Sequence, residues 1–153
     1  YHQPVLVETY LPGREFTVGI VGTGREARVA GWMEVEISDP SQGEIYGWVN
    51  KEECETRVKY LVPADLSSGQ VDRIWQTALE AYRVLGCRDA GRLDLRCDRD
   101  GIPNFLEANP LPGLHPVRSD LTICCRLNGM DYSQLISLIV ESALKRSDGR
   151  RQV

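Results

Sequence analysis

Histidine is rare in this sequence, and its cysteines follow no regular spacing. Among 153 residues there are 2 histidines and 5 cysteines, and no two cysteines form a CxxC pair. Zinc sites and disulfide frameworks depend on regular spacing of these residues. We therefore predict reduced thiols, which are typical of cytoplasmic proteins.

A net positive charge and long apolar runs are also lacking. The formal net charge is −4, so we expect no binding to the phosphate backbone of a nucleic acid. No apolar run reaches the length of about 20 residues that a membrane helix needs, and no signal-peptide pattern opens the chain, so no membrane partner is expected. The hydrophobic fraction of 42% and the charged fraction of 26% indicate one globular domain with a real core.

The N-terminal part of the chain predicts strands. It begins without methionine in a strand-like run, so we expect a piece of a longer protein. Residues 4–10, 15–21 and 27–37 are rich in β-branched or alternating residues and predict three strands. The GTG at 22–24 resembles a phosphate loop, but such a loop should open a helix, and predicted strands lie on both sides. A turn is therefore favoured.

The middle of the chain changes character. Residues 38–69 are rich in Ser, Gly, Asp, Glu and Pro and predict either a functional lid or a plain surface excursion. Residues 70–86 predict a helix with one apolar face that ends at Gly86. A last helix is predicted from about Tyr132 to Lys145. We assign residues 1–146 to one domain or part of one and predict a disordered tail over 147–153.

Residues 92–109 predict a β-hairpin. Asp100-Gly101 favours a type I′ turn, which pairs residues whose numbers sum to 201. In that register three polar or aromatic pairs face each other: Asp94 with Glu107, Arg92 with Asn109, and Arg96 with Phe105. The other face would be apolar and cover the core, with Leu93, Leu95, Cys97, Ile102, Leu106 and Ala108.

The polar face of this hairpin admits two interpretations. Two acids directly opposite each other destabilise a sheet. Because carboxylate and amide oxygens are ligands that Mg²⁺ prefers, Asp94, Glu107 and Asn109 predict a metal site. Arg92 beside them could hold a phosphoryl oxygen or an oxyanion. Alternatively, the face is simply solvated, and Arg92 and Arg96 screen the acids; the hairpin alone does not decide.

The segments around the hairpin resemble a known family. RLD at 92–94, LEAN at 106–109 and PLPG at 110–113 occur in the order found in the C-terminal part of the D-alanine–D-alanine ligase family, in the ATP-grasp superfamily. Similar segments extend from about Val5 to Arg146. The resemblance implies an α+β fold, the ATP-grasp C-terminal subdomain, with a mainly antiparallel sheet and packed helices. It also implies a missing N-terminal portion of the same protein, which would grip the nucleotide from the other side.

The resemblance implies roles at the hairpin and in the Pro-Gly loop. Asp94, Glu107 and Asn109 match the family's metal ligands, for two Mg²⁺ ions (or Mn²⁺) that bridge the phosphates of ATP. Arg92 matches the arginine that steadies the transferred phosphoryl group and the tetrahedral intermediate. Gly113 matches the glycine whose N–H supports the oxyanion.

The resemblance also implies nucleotide contacts. Glu8 matches the acid on the adenine side of the cleft, and Glu15 the acid at the ribose hydroxyls. Tyr46 and Lys51 match positions in the family's lid, but their neighbours differ from the family pattern. Lys51 as a phosphate contact and Lys51 as a solvated lysine therefore both stay open.

The loop that would bind the second substrate differs most from the family's sequence pattern. Counting forward from Gly113 places the residue that binds the second substrate's carboxylate at Arg118, whereas counting back from Gly129 places it at Ser119. We prefer Ser119 for this role and keep Arg118 as its replacement. His115, in the same loop, is predicted to pack within the loop or to face solvent.

The implied function is ATP-dependent ligation of a carboxylate to an amine. In this family an acyl phosphate forms from ATP, and two D-alanines are joined for peptidoglycan precursors. The acceptor-side differences leave another amino acid or peptide open, and a non-catalytic nucleotide-binding relative is the third alternative. The chain alone should be inactive. Homodimers are common in the family, but the sequence does not show the oligomeric state.

Overall fold

The structure, a computed structural model, describes residues 2–37 and 58–150. Its elements are β1 (Glu15–Val21), a short 3-10 turn (Gly24–Glu26), β2 (Arg28–Ile37), β3 (Val58–Leu61), α1 (Ser68–Val84), β4 (Ala90–Cys97), β5 (Pro103–Asn109), α2 (Asp120–Leu127) and α3 (Tyr132–Arg150). The described strands form one antiparallel sheet in the order β3-β2-β1-β4-β5. The predicted α+β class is confirmed.

One face of the sheet carries the main core under α1. Apolar side chains of β1 and β4 meet the helix there, and the most deeply buried are Phe16, Val18, Ile20, Leu93 and Leu95. The helix begins with a capping box between Ser67 and Gln70 and ends before Gly86, whose φ is 67°. It buries Ile74, Ala78 and Tyr82 at helical spacing. The predicted helix is confirmed.

The opposite face of the sheet is covered by α2, which the sequence analysis did not predict. Residues 121–125 of this helix are all buried, so it lacks the one-sided apolar pattern by which surface helices are recognised. A Cβ at Gly31 in β2 would lie 2.6 Å from the backbone oxygen of Cys124. Glycine at this position therefore allows the helix backbone to approach the sheet closely.

Two predicted segments near the N-terminus had different outcomes. The predicted strand over residues 4–10 is wrong, because within the described ranges no strand pairs with it. Its side chains are exposed, with Val5 at 78%, Leu6 at 81% and Val7 at 87%. The turn at 22–24 is confirmed, since the chain passes through the short 3-10 turn directly into β2.

The predicted lid and tail are only partly described. Residues 38–57 of the predicted lid lie outside the described residues, whereas 58–61 form β3 and 68–69 begin α1. The last helix ends at Arg150, five residues beyond the predicted Lys145. Residues 151–153 of the predicted tail are outside the described residues. Among the helices that the structure describes, none is long and apolar enough to cross a membrane.

The hairpin of β4 and β5 keeps the predicted pairs next to the site but not near its tip. Asp94 lies opposite Glu107 and Arg92 opposite Asn109, as predicted. The pairing of Arg96 with Phe105 is wrong, because the register shifts after Asp94 and Arg96 lies opposite Asn104. The extra residue, Leu106, is 45% exposed and does not cover the core as predicted.

The turn of the hairpin explains this shift. The N–H of Asp98 donates to the carbonyl of Ile102, and the Asp98 carboxylate accepts two further backbone N–H groups within the turn. Gly101 has a φ of 75°, but among the described non-glycine residues only Asp89 has a positive φ. A type I′ turn needs a positive φ at both central residues, and Asp100 lacks it. The predicted type I′ turn is therefore wrong. The three-residue turn pairs residues whose numbers sum to 200. Beyond the bulge at Leu106, the paired numbers again sum to 201. Ile102, predicted on the core face, is 45% exposed at the end of this turn.

Candidate active site

Polar side chains form a row along the face of the sheet that α2 covers. The register between β1 and β4 brings three pairs together: Glu15 with Arg96, Thr17 with Asp94, and Gly19 with Arg92. The hairpin register adds Glu107 and Asn109 from β5. We call Glu15, Thr17, Arg92, Asp94, Arg96, Glu107 and Asn109 the polar row. The predicted metal ligands and Arg92 are thus neighbours.

Arg92 is the centre of the row, since its guanidinium contacts three carboxylates. Its Nη2 lies 2.8 Å from Asp94 Oδ2 and 3.3 Å from Glu107 Oε1, and its Nη1 lies 2.5 Å from Asp120 Oδ2. Burial lowers the pKa of Arg92, but the three carboxylates outweigh it, and its pKa lies above the ordinary value. Arg92 therefore stays charged, and it draws the acids together.

Asp94 is a largely buried acid of the row. Its Oδ1 accepts a hydrogen bond of 2.8 Å from Thr17 Oγ1. Burial raises its pKa to about 6, and Glu107 raises it too, whereas Arg92 and Thr17 act in the opposite direction. Keeping Asp94 ionised is thus costly without more positive charge beside it. A divalent cation between Asp94 and Glu107 would supply that charge.

The donor set fits Mg²⁺ by its chemistry. Asp94 and Glu107 offer carboxylate oxygens, and the side-chain oxygen of Asn109 accepts one N–H, that of Leu111 at 3.2 Å, which leaves a second lone pair. Glu107 is 60% exposed and can turn toward an ion. The described residues contain no group of three or more His, Cys, Asp or Glu side chains that could hold a metal. Hard oxygen donors suit Mg²⁺, which completes its shell with water and phosphate.

The residues predicted to contact the nucleotide do not all lie together in the described structure. Glu15 lies in the polar row, where its Oε2 is 3.2 Å from Arg96 Nη1. The Arg96 guanidinium also lies over the ring of Tyr10, 5.9 Å from its centre. Glu8 is exposed in the segment without a strand partner, and the structure does not bring it to the row. Tyr46 and Lys51 lie outside the described residues.

The loop before α2 holds the predicted acceptor residues. Ser119 Oγ accepts the His115 N–H at 2.9 Å, so its own hydroxyl proton remains to donate to a carboxylate. A Cβ at Gly113 would lie 2.6 Å from that oxygen, and so the serine packs directly on the glycine. His115 Nδ1 accepts the N–H groups of Val117 and Arg118, each at 3.2 Å. His115 therefore shapes the loop, as the packing alternative predicts.

Two residues of the site were missed by the sequence analysis. Thr17 holds Asp94, and Asp120 holds Arg92. The alternation of β1 places Thr17 on the same face as Glu15, so its position could have been inferred from the strand period. Asp120 is the first residue of the unpredicted helix α2. Its role depends on a tertiary contact that no local pattern indicates.

Sequence comparison identifies relatives that include several D-alanine–D-alanine ligases. The family model described as "D-ala D-ala ligase C-terminus" matches residues 1–141. The chain is 35% identical over 143 residues to a D-alanine–D-alanine ligase of Bordetella avium, covering 94% of this chain and 43% of the relative. It is 37% identical to one of Dechloromonas aromatica, with 93% and 44% covered. An uncharacterised protein of Sinorhizobium fredii is 32% identical, with 97% and 44% covered.

Solved structures show the same fold at lower identity. A D-alanine–D-alanine ligase from Bacillus anthracis complexed with ATP superposes with a TM-score of 0.68 at 23% identity, over 94% of this chain and 42% of that one. One from Coxiella burnetii gives 0.72 at 19% identity, with 95% and 36% covered. The VanG D-Ala:D-Ser ligase from Enterococcus faecalis gives 0.67 at 24%, with 87% and 37% covered. The chain thus spans less than half the length of these relatives.

Proposed function

Because the chain belongs to the D-alanine–D-alanine ligase C-terminal family, we propose that it is the C-terminal part of an ATP-dependent carboxylate–amine ligase. The observation that carries this proposal is the cluster around Arg92. One guanidinium is held among Asp94, Glu107 and Asp120 on the face of the sheet that α2 covers. Such a cluster of acids around one arginine suits phosphoryl transfer, which depends on charge neutralisation and positioning.

Asp94, Glu107 and Asn109 would hold the metal. One or two Mg²⁺ ions, or Mn²⁺, bound there would neutralise the phosphate charge of ATP. Thr17 orients Asp94 for this task through its 2.8 Å hydrogen bond. Glu107, at 60% exposure, is free to reach toward solvent and phosphate. The donor chemistry supports this assignment, and its test is a substitution of the acids.

The proposed reaction has two transfers. A carboxylate oxygen of the first substrate bonds to the γ-phosphorus of ATP while the bond to ADP breaks, which gives an acyl phosphate. The amine nitrogen of the second substrate then bonds to the acyl carbon, and inorganic phosphate leaves. Arg92 would balance the negative charge of the phosphoryl group, and the N–H of Gly113 would support the oxyanion at the acyl carbon. No protein nucleophile is needed.

The acceptor is proposed to be D-alanine, with Ser119 donating a hydrogen bond to its carboxylate. Ser119 supports this because its hydroxyl proton is not used within the loop. A second candidate acceptor is a different amino acid or a peptide. The observation that favours it is Arg118, which is exposed beside Ser119 and makes no ion pair with another described residue. That guanidinium could bind an additional carboxylate on a longer acceptor.

The rest of the enzyme would lie in an N-terminal portion of the same protein. Glu15 and Glu8 would face the nucleotide, and Tyr46 and Lys51 would be further nucleotide contacts. We expect this chain alone to be inactive, since it spans 43% of the relative from Bordetella avium. A cytoplasmic location, a role in peptidoglycan precursor synthesis and a homodimer are parts of the same proposal.

The test is ADP release by the complete protein that contains this chain, with ATP and Mg²⁺. D-alanine is offered first, and then a panel of amino acids that includes D-serine, acidic amino acids and dipeptides. Release with D-alanine supports the proposal, and release only with another acceptor supports the second candidate. If no acceptor stimulates release although ATP binds, the chain is a nucleotide-binding relative without ligase activity, and the proposal is wrong.

A further inference from the structure

Asp120 forms an ion pair with Arg92 through a different terminal nitrogen from the one that contacts Asp94 and Glu107. Its Oδ2 lies 2.5 Å from Arg92 Nη1, and the two side chains are only 20% and 13% exposed. Asp94 and Glu107 share the other terminal nitrogen, Nη2. The two ends of the guanidinium are therefore held by acids from different elements.

The carboxylate of Asp120 has a rigid support. It is the first residue of α2, and the next residue, Leu121, is completely buried. The helix lies against the glycine of β2 at backbone distance, with Gly31 beneath Cys124. A helix held this closely cannot shift without losing packing. The carboxylate of Asp120 is thus held in place by α2, and it can fix the orientation of the Arg92 guanidinium.

The third guanidinium nitrogen, Nε, has no hydrogen-bond partner among the described residues. Arg92 Nε is buried and makes no hydrogen bond in the described structure. A buried donor without a partner is costly unless a ligand or water satisfies it. Since Asp120 already holds Nη1, Nη2 is the donor left for a substrate once a metal engages Asp94 and Glu107.

We propose that Asp120 is a positioning residue that holds Arg92 in place and links the acceptor loop to the phosphoryl site. The link is direct in the chain, because Ser119 immediately precedes Asp120 and its hydroxyl packs on Gly113. Adjacent residues at the start of α2 therefore set the position of the predicted acceptor-binding hydroxyl and that of Arg92. This inference rests on the proposed function for its kinetic consequence but not for the Asp120–Arg92 contact itself.

An acid in the first turn of a helix also has a general effect, since it interacts favourably with the helix dipole. The test must separate this effect from the hold on Arg92. Asp131, before α3, is a matched control. Its Oδ1 accepts the Gln134 N–H at 2.9 Å, a role that asparagine can also fill. The pair Asp120→Asn and Asp131→Asn removes one helix-start charge each, but only the first faces Arg92.

The first measurement is independent of turnover. In the complete protein, the ¹H–¹⁵N signal of Arg92 Nε–H, assigned by its loss in Arg92→Lys, should exchange slowly with solvent because the group is buried. We expect at least tenfold faster exchange in Asp120→Asn, no change in Asp131→Asn, and slow exchange retained in Asp120→Glu. Unchanged exchange in Asp120→Asn would overturn the proposal, provided that its melting curve shows a folded protein.

The second measurement is kinetic. In Asp120→Asn, Arg92 can turn fully onto Asp94 and Glu107, and one negative charge is gone. We therefore expect kcat to fall at least tenfold and the Mg²⁺ concentration for half-maximal rate to rise about threefold to tenfold, with Asp120→Glu partly restoring both. Faster Nε–H exchange with unchanged kcat and Mg²⁺ dependence would overturn the positioning role. If the unmodified protein turns over no acceptor, the proposed function fails, while the exchange result still decides whether Asp120 holds Arg92.

Discussion

The acids of the polar row repel one another, and Arg92 alone does not remove that cost. Asp94 is largely buried and its side chain is 14% exposed, whereas Glu107 opposite is 60% exposed. The hydrogen bond from Thr17 fixes the buried acid and leaves the exposed one free to adjust. One fixed and one adjustable carboxylate is an arrangement that can accept a cation and then release it.

Neutralising either acid should therefore lower kcat strongly and change the free energy of unfolding only slightly. In the complete protein we expect Asp94→Asn and Glu107→Gln to reduce kcat by about 10²-fold or more, because each removes a charged ligand of the proposed metal site. The free energy of unfolding should change by no more than about 1 kcal/mol, since both substitutions keep the shape and relieve repulsion. ADP release and urea unfolding measure the two effects.

The matched control for the exposed acid is Glu36→Gln. Glu36 is an exposed strand glutamate that pairs with Lys59 at 3.6 Å, away from the polar row, and its substitution should leave kcat unchanged. Equal kcat values for Glu107→Gln and Glu36→Gln would remove the metal assignment.

Periodic patterns in the sequence predicted the elements that bury one face. β1, β2 and α1 were predicted within two residues of their observed ends, because their apolar residues recur at the period of the element. The pairing of Asp94 with Glu107 was also predicted, although the turn was wrong. The three-residue turn and the bulge at Leu106 each shift the register by one residue, and the two shifts cancel.

Patterns failed where tertiary contacts decide the structure. The helix α2 is buried on nearly all sides, so its residues carry no one-sided period. Residues 4–10 have strand composition but no neighbour to pair with among the described residues, and composition alone does not make a strand. Asp120 was missed for the same reason, because its contact with Arg92 spans two elements.

The packing of α2 on β2 makes a prediction about stability. Gly31→Ala should destabilise the chain by about 1–3 kcal/mol, because the new methyl group would lie 2.6 Å from the Cys124 carbonyl oxygen, a backbone atom that cannot turn away. Gly69→Ala is the control. Gly69 lies in α1 with open space around its Cα, and alanine there should stabilise by about 0.5–1 kcal/mol. A shift of the urea midpoint in the same direction for both variants would contradict the close approach.

Viewed as a whole, the molecule divides its tasks between the two faces of one sheet. The α1 face holds the larger core, and the α2 face holds the polar row together with a smaller cluster around Leu121 and Leu135. The long helix α3 is tied to the other end of the sheet by Asp89. Arg146 and Ser142 of α3 donate hydrogen bonds to its carboxylate at 2.6 and 3.0 Å.

Asp89 makes the attachment of α3 sensitive to acid. The guanidinium of Arg146 and the hydroxyls of Ser142 and Thr23 hold the pKa of Asp89 below its ordinary value, against the effect of burial. Tyr82 lies nearby, but its pKa is raised and it remains neutral throughout the acid range. A carboxyl whose folded-state pKa is lowered binds fewer protons in the folded state. Its stabilising contribution is therefore full above the unfolded pKa near 4 and is lost as the pH falls through the folded pKa.

We expect Asp89→Asn to lower the free energy of unfolding at pH 6 and to have a progressively smaller effect as the pH falls below about 4. Asparagine tolerates the positive φ of 66° at this position, so the backbone need not change. Urea unfolding at a series of pH values measures the effect. Asp72→Asn, on the exposed side of α1, is the control and should leave the pH profile unchanged. A difference between Asp89→Asn and the unmodified chain that stays constant from pH 6 to pH 2 would show that the loss is one of shape, not of charge, and that α3 is held by its apolar contacts alone.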